Sequence, residues 1–344
     1  MSRLPAWRGL RACATQPAMA QVERIGLIGF GKHGERYARH LRADFPDLRL
    51  AAVSRRDPQR LAATARETGA EPYADWRALF DTAKVDAVIT VVPPTLHADI
   101  VRAAAAARIP LLLEKPAAPT LSDGRAMRAA LAATPTPVMV AQTLRYNAVV
   151  RAMLAARPRI GAVRSLSFTQ RFEPSPLDWL DDPERSGGGM ILHTGVHAFD
   201  LARLLSGLEP TAVTCHAQAI HTRRTEDNFA ATITFGGDGA LATVACSRAA
   251  GARNGHVEVA GEHGTLLGDH VLGLASLVVG TKVELLPVGE ALPTVREVVR
   301  DFVAAVRAEA PMPISIDEGL RAVAVADACY VALRSGCSAP VESI

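Results

Sequence analysis

Hydrophobic and polar positions divide the chain into two regimes. Over residues 24–140, short apolar runs at 25–30, 48–53, 87–92, 111–113 and 138–140 alternate with stretches of helical period leading from Gly31 to Leu41, over 58–68 and over 96–107. Strands without polar alternation, separated by helices, predict a parallel sheet wound on both faces, with ligands at the carboxyl ends of its strands. Beyond about residue 142 the pattern changes. A helix near 149–156, a strand at 163–172 and a helix entered through glycines and running to Leu205 come first. Strand-like segments follow at 212–220, 229–235, 241–247, 256–260 and 264–267, and helices at 295–308 and 317–335 close the chain.

The order of elements predicts an α/β fold: an N-terminal Rossmann-type sheet over 21–141, then an α+β unit with a mostly antiparallel open sheet over 142–344. Its 344 residues are enough for two cores. With 49% hydrophobic and 21% charged residues the composition is that of a globular protein. A net charge of +3, with no basic stripe, argues against a nucleic-acid partner. The longest apolar run, at 271–280, is too short to cross a bilayer and reads as strands, so no membrane partner is expected. Five cysteines without a C-x-x-C pair point to a reducing compartment, hence the cytoplasm. Residues 1–20, with Arg3, Arg8 and Arg11 before any acidic residue, read as a disordered extension or an upstream start before Met19; an Arg-rich transit peptide is the other reading.

The chemistry begins at Gly29-x-Gly31-x-x-Gly34, between the first strand and the first helix. The first glycine permits the turn, the second lets backbone approach a pyrophosphate, and the third lets helix pack on strand. The turn Gly29, Phe30, Gly31, Lys32, His33 and Gly34 is therefore the expected dinucleotide cradle. At the end of the second strand, where a carboxylate would read an NAD ribose, the chain has Ser54, Arg55 and Arg56. A hydroxyl and guanidinium groups suit a 2′-phosphate, so NADP is favoured over NAD; the competing reading has solvated arginines and Asp57 turned to the ribose. Val92, Pro93 and His97, and then Glu114 and Lys115, fall at later strand ends and complete the cofactor set.

Three motifs resemble the Gfo/Idh/MocA oxidoreductases, the glucose–fructose oxidoreductase and inositol dehydrogenase family: Glu114-Lys115-Pro116 after a buried strand, Pro93-Pro94-Thr95-Leu96-His97, and Gly187-Gly188-Gly189 leading to His193-x-x-x-His197 and Asp200. The resemblance runs from about Arg24 through Asp317-Glu318-Gly319. It implies a catalytic Lys115 beside His197 at the nicotinamide, a sugar, polyol or related cyclic alcohol as substrate, and a homo-oligomer, dimer or tetramer, built through the C-terminal sheet. The family commonly has aspartate four residues before the histidine, where this chain has His193.

Residues four apart on a helix share a face, so His193 and His197 are expected to point into one space. Lys115 would stabilise the substrate oxygen and exchange its proton, and His197, with an ordinary imidazole pKa near ~6.5, would share that role. A neutral histidine cannot hold Lys115 charged as an aspartate could; His193 is expected to orient substrate or relay a proton. H-x-x-x-H also fits zinc spacing, but no third ligand is evident, and no metal is expected. Arg145, Tyr146, Trp179 and Thr194 are substrate candidates, the 174–186 loop being the expected determinant of specificity, while His256, His263 and His270 read as solvated. Two other functions share the pattern: a nucleotide-sensing protein without turnover, which single-turnover hydride transfer would exclude, and an NAD-dependent glycoside-cleaving enzyme, which product analysis with an aryl glycoside would separate.

Overall fold

The computed structural model describes residues 22–81, 84–237 and 239–344. The expectations for residues 1–20 lie outside them. Six strands, β1 (Arg24–Ile28), β2 (Arg49–Ser54), β3 (Glu71–Tyr73), β4 (Ala87–Thr90), β5 (Leu111–Glu114) and β6 (Val138–Ala141), form a parallel sheet in the order β3-β2-β1-β4-β5-β6. Helices α1 (Lys32–Asp44), α2 (Pro58–Thr68), α3 (Arg77–Phe80), α4 (His97–Ala107) and α5 (Leu121–Ala133) alternate with the strands. All residues of β4, β5 and β6 are buried, which explains their unbroken apolar runs. Chain order reverses between β1 and β4, so the crevice at their carboxyl ends lies at the switch point where such sheets bind ligands.

Pattern reading passes over β3 and α5, for different reasons. Strand β3 has three residues, one a proline, at the edge of the sheet. Helix α5 is alanine-rich with weak contrast between its faces, and its start is marked only by Thr120, whose side chain accepts from Asp123 N–H.

The second sheet has nine strands: β7 (Val163–Arg171), β8 (Pro210–Gln218), β9 (Asn228–Phe235), β10 (Leu241–Ser247), β11 (Asn254–Gly261), β12 (Thr265–Asp269), β13 (Leu274–Val279), β14 (Lys282–Leu285) and β15 (Ala339–Pro340). Their order is β14-β13-β12-β11-β7-β10-β9-β8-β15, antiparallel except where β7 lies parallel to β10. Burial alternates along β9 and β10, so one face meets helices and the other meets solvent. Helices α6 (Ala148–Ala156), α7 (Pro183–Ser186) and α8 (Val196–Ser206) precede most of the sheet, and α9 (Thr294–Val306) and α10 (Ile316–Ser335) follow it.

The chain then returns to its first core. Val295, Val298, Phe302, Ile314 and Leu320 pack with the parallel sheet, whereas Val325, Ala326 and Cys329 of the same α10 pack with the second sheet. Residues before 141 therefore do not close the first core alone. A buried ion network crosses the same junction: Arg145 bonds Asp200 at 2.5 and 2.7 Å and Glu318 at 2.9 Å, and Arg203 reaches Glu318 at 3.5 Å.

Candidate active site

The glycine turn has the geometry its spacing predicts. Gly29 has φ of 90°, and a Cβ there would sit 2.2 Å from the Val91 carbonyl oxygen. A Cβ on Gly34 would sit 2.2 Å from the Gly29 carbonyl oxygen, so the third glycine lets α1 lie against the turn. Gly31 has no atom within 4 Å of that position, leaving its backbone open, and no side chain caps the start of α1. An open glycine backbone before an uncapped helix N-terminus fits a pyrophosphate. Phe30 is buried, Lys32 exposed and His33 half-buried.

At the end of β2, Ser54 is buried, Arg55 donates to Thr64 Oγ1 at 3.2 Å, and Arg56 is exposed without an ion pair among the described residues. Asp57 caps α2, its Oδ1 accepting Arg60 N–H at 3.0 Å, and so is already engaged.

Glu114 at the end of β5 is buried and serves as an anchor. Its Oε1 accepts from Tyr37 at 2.6 Å and lies 2.7 Å from His33 Nε2, and its Oε2 accepts Lys115 N–H at 3.0 Å. Burial opposes its charge, but His33 and Lys115 outweigh it and hold the carboxyl below the usual range. The carboxylate ties α1 to the turn that carries Lys115. His97, fully buried at the start of α4, steadies the same turn, its Nδ1 lying 3.1 and 3.2 Å from the Pro116 and Ala117 carbonyls. Burial pushes its imidazole down to about 4. The Lys115–Pro116 peptide is cis.

Lys115 Nζ donates to the His193 main-chain carbonyl at 2.8 Å. Burial lowers the ammonium to about 8, Glu114 opposing and Arg248 reinforcing the shift. His193 lies in a single π-turn, Ile191–Gly195, between the glycines and α8. The start of that turn is held from outside: Gly189 N–H donates to Tyr330 Oη, Met190 N–H to the Glu226 carbonyl and Ile191 N–H to Glu226 Oε1. These bonds satisfy donors that a helix start leaves unpaired. Burial raises the Glu226 carboxyl.

The His193 ring turns to the loop before it, with Nε2 3.0 Å from the Ser186 carbonyl and its plane edge-on to Trp179 at 5.4 Å, while its carbonyl takes Lys115. Burial, then the Lys115 charge, lowers His193 to about 3. His197 is lowered well below 6.5 for the same two reasons, so an ordinary imidazole pKa does not describe it; its Nδ1 is buried without a partner.

Two substrate candidates are held within the fold. Arg145 is spent in the ion network with Asp200 and Glu318, and Tyr146 is buried, burial and then Asp301 raising its phenol. Trp179 stays at the site through His193, and Thr194 through Arg248, whose Nη2 lies 3.5 Å from Thr194 Oγ1. His270 is half-buried rather than solvated, its Nε2 3.1 Å from Gln170 Nε2. Sequence reasoning missed Arg248, Glu226 and Tyr330. Each lies far from the motifs along the chain, and no local pattern marks it.

Comparison with known proteins identifies the family and the fold. The Gfo/Idh/MocA model "Oxidoreductase family, NAD-binding Rossmann fold" matches residues 23–142, and the Gfo/Idh/MocA C-terminal domain matches 149–267. An inositol 2-dehydrogenase of Rhizobium meliloti (strain 1021) is 28% identical over 89% of this chain and 95% of its own. A D-apiose dehydrogenase of Paraburkholderia graminis is 26% identical over 92% and 89%. Among solved structures, an oxidoreductase domain protein from Kribbella flavida superposes with a TM-score of 0.86 at 24% identity, covering 94% of this chain and all of its own. Levoglucosan dehydrogenase in complex with NADH gives 0.85 at 22%, with the same coverage; at these identities the likeness concerns the fold. The chain belongs to the Gfo/Idh/MocA oxidoreductases, whose first domain binds a nicotinamide nucleotide.

Proposed function

We propose that the protein is a dehydrogenase or reductase of a sugar, polyol or related cyclic alcohol, with Lys115 exchanging the hydroxyl proton. The observation that carries this is Lys115 itself: a lysine at the carboxyl end of β5, bonded to a neutral carbonyl and lowered to about 8, can lose and regain a proton near neutral pH. The bound nicotinamide supplies the hydride acceptor in oxidation and the donor in reduction. Lys115 takes the hydroxyl proton in oxidation and returns one to the carbonyl oxygen in reduction. His197, kept neutral, offers a ring nitrogen to orient the reacting hydroxyl. His193 acts through its main chain, which aims Lys115, and through its ring, which fixes the 179–186 loop. The names of the inositol and apiose dehydrogenase relatives support the substrate class.

The cofactor is held by the turn from Gly29 to Gly34 and, in this reading, is NADP. Asp57 is engaged in capping α2, and Arg56 is available beside Ser54 and Arg55. Replacing Arg55 and Arg56 by Asp should then reverse the preference, measured as the ratio of the NADP and NAD dissociation constants. An unchanged ratio contradicts the reading.

Assembly through the nine-stranded sheet is supported by apolar side chains left exposed along its edge, Leu274, Val283 and Leu285 among them. A cytoplasmic setting is supported by Cys215, Cys246, Cys329 and Cys337, all free thiols. The experiment that tests the reading is a screen of sugars, polyols and their keto forms by absorbance of the reduced nicotinamide, beside Lys115→Met, which should lose most turnover and keep cofactor affinity.

A further inference from the structure

A cleft of about 180 Å³ opens beside the π-turn, with His193 and Arg248 in its wall. Arg248 follows β10 directly, and its guanidinium is half-buried with no carboxylate partner among the described residues. Among the described residues its Nε is buried without a hydrogen-bond partner, and the one side-chain bond is the 3.5 Å contact of Nη2 with Thr194 Oγ1. The Phe172 ring lies 6.0 Å away and offers only a weak cation–π contact. An arginine withdrawn from water usually finds a carboxylate, because its five donors otherwise lose solvent without return.

Three of the four acidic groups lining the same cleft are held by other donors. Asp181 accepts the N–H groups of Arg223, Arg224 and Thr225, and Asp227 those of Ile220, His221 and Thr222. Glu226 is taken by Ile191 N–H and Tyr330. Asp178 stands exposed at the rim. His193, neutral, lines the cleft with Arg248, and its carbonyl takes Lys115, whose ammonium is lowered partly by Arg248. Glu114 is the fixed counter-charge of Lys115, whereas Arg248 has no carboxylate paired with it among the described residues.

We infer that Arg248 recognises a carboxylate on the substrate, so that the protein acts on a sugar or polyol acid, such as a hexuronate, in preference to the neutral sugar. The planar guanidinium that lines the cleft matches the oxygens of a carboxylate, which would give it the anionic partner that the described residues lack. This rests on the dehydrogenase reading above and adds the chemical class of the substrate.

The test is calorimetric binding of D-glucuronate and D-galacturonate, against D-glucose and D-galactose, to protein saturated with oxidised NADP or NAD. The acids should bind about 10-fold to 100-fold more tightly than the neutral sugars, the worth of a charged hydrogen-bonded pair. Arg248→Met should erase that difference while keeping cofactor affinity, and Arg248→Lys should recover only part of it. Equal affinity for acid and neutral sugar, absence of acid binding, or a difference that survives Arg248→Met would overturn the inference. Tighter binding of D-glucose 6-phosphate than of either uronate would overturn the carboxylate assignment. The dehydrogenase reading fails separately, when acids bind through Arg248 and no reduced nicotinamide forms.

Discussion

Lys115 is bonded to a main-chain oxygen, and that choice of partner governs its chemistry. A carboxylate at the same distance would hold the ammonium charged; a carbonyl leaves burial in command, and the group falls to about 8. Oxidation needs the neutral amine, so kcat/KM for the alcohol should rise with pH through about 8 and level off above it. Reduction needs the ammonium, so its kcat/KM should fall across the same range. His97 and His193, at about 4 and 3, cannot produce an inflection there. Initial rates in both directions across pH 6 to 10 (roughly the span bracketing one titration) check this, and an alcohol-oxidation profile flat through 8 would contradict it. The lysine and the three glycines are legible in the sequence because each answers a constraint among near neighbours. Arg248 and Glu226 are not, since strands and loops distant along the chain bring them to the site.

Among the elements, the π-turn has the most specific supports. A Cβ on Gly189 would lie 2.1 Å from the Glu226 carbonyl oxygen, and backbone cannot yield as a flexible side chain would. Gly189→Ala should therefore destabilise the fold by about 1–3 kcal/mol, the usual cost of overpacking, and reduce turnover by displacing the carbonyl that aims Lys115. Denaturant titration and initial rates measure both; an unaltered variant would show that the turn tolerates what its geometry forbids. The sequence places a helix here correctly, but the bonds that hold its start come from Glu226 and Tyr330 on other elements. Most other strands and helices are legible from periodicity, because parallel strands buried on both faces and half-exposed strands leave different signatures. The edge strand β3, with its proline, and the alanine-rich α5 leave neither.

For the whole molecule, the two cores are joined by α10 and by the Arg145, Asp200 and Glu318 network, and the histidines near the junction are held neutral by burial. Unfolding lets each histidine bind the proton it refuses in the fold, so below its unfolded pKa near ~6.5 the unfolded state takes up more protons. Stability should therefore rise with pH up to about 6.5 and decline as pH falls below it, by up to about 1.4 kcal/mol per pH unit for each such histidine. The Tm should accordingly fall between about pH 7 and 5, and His97→Asn should flatten that slope; an equal slope in the variant would contradict the assignment. The central claim, that this Gfo/Idh/MocA chain moves a proton through Lys115, is tested most directly by comparing wild type with Lys115→Met. Reduced-nicotinamide absorbance reports turnover of a substrate found by the screen, and fluorescence titration reports cofactor affinity. The expected result is a loss of at least about 100-fold in turnover, the scale of general acid–base catalysis, at unchanged cofactor affinity. A fully active variant would contradict it.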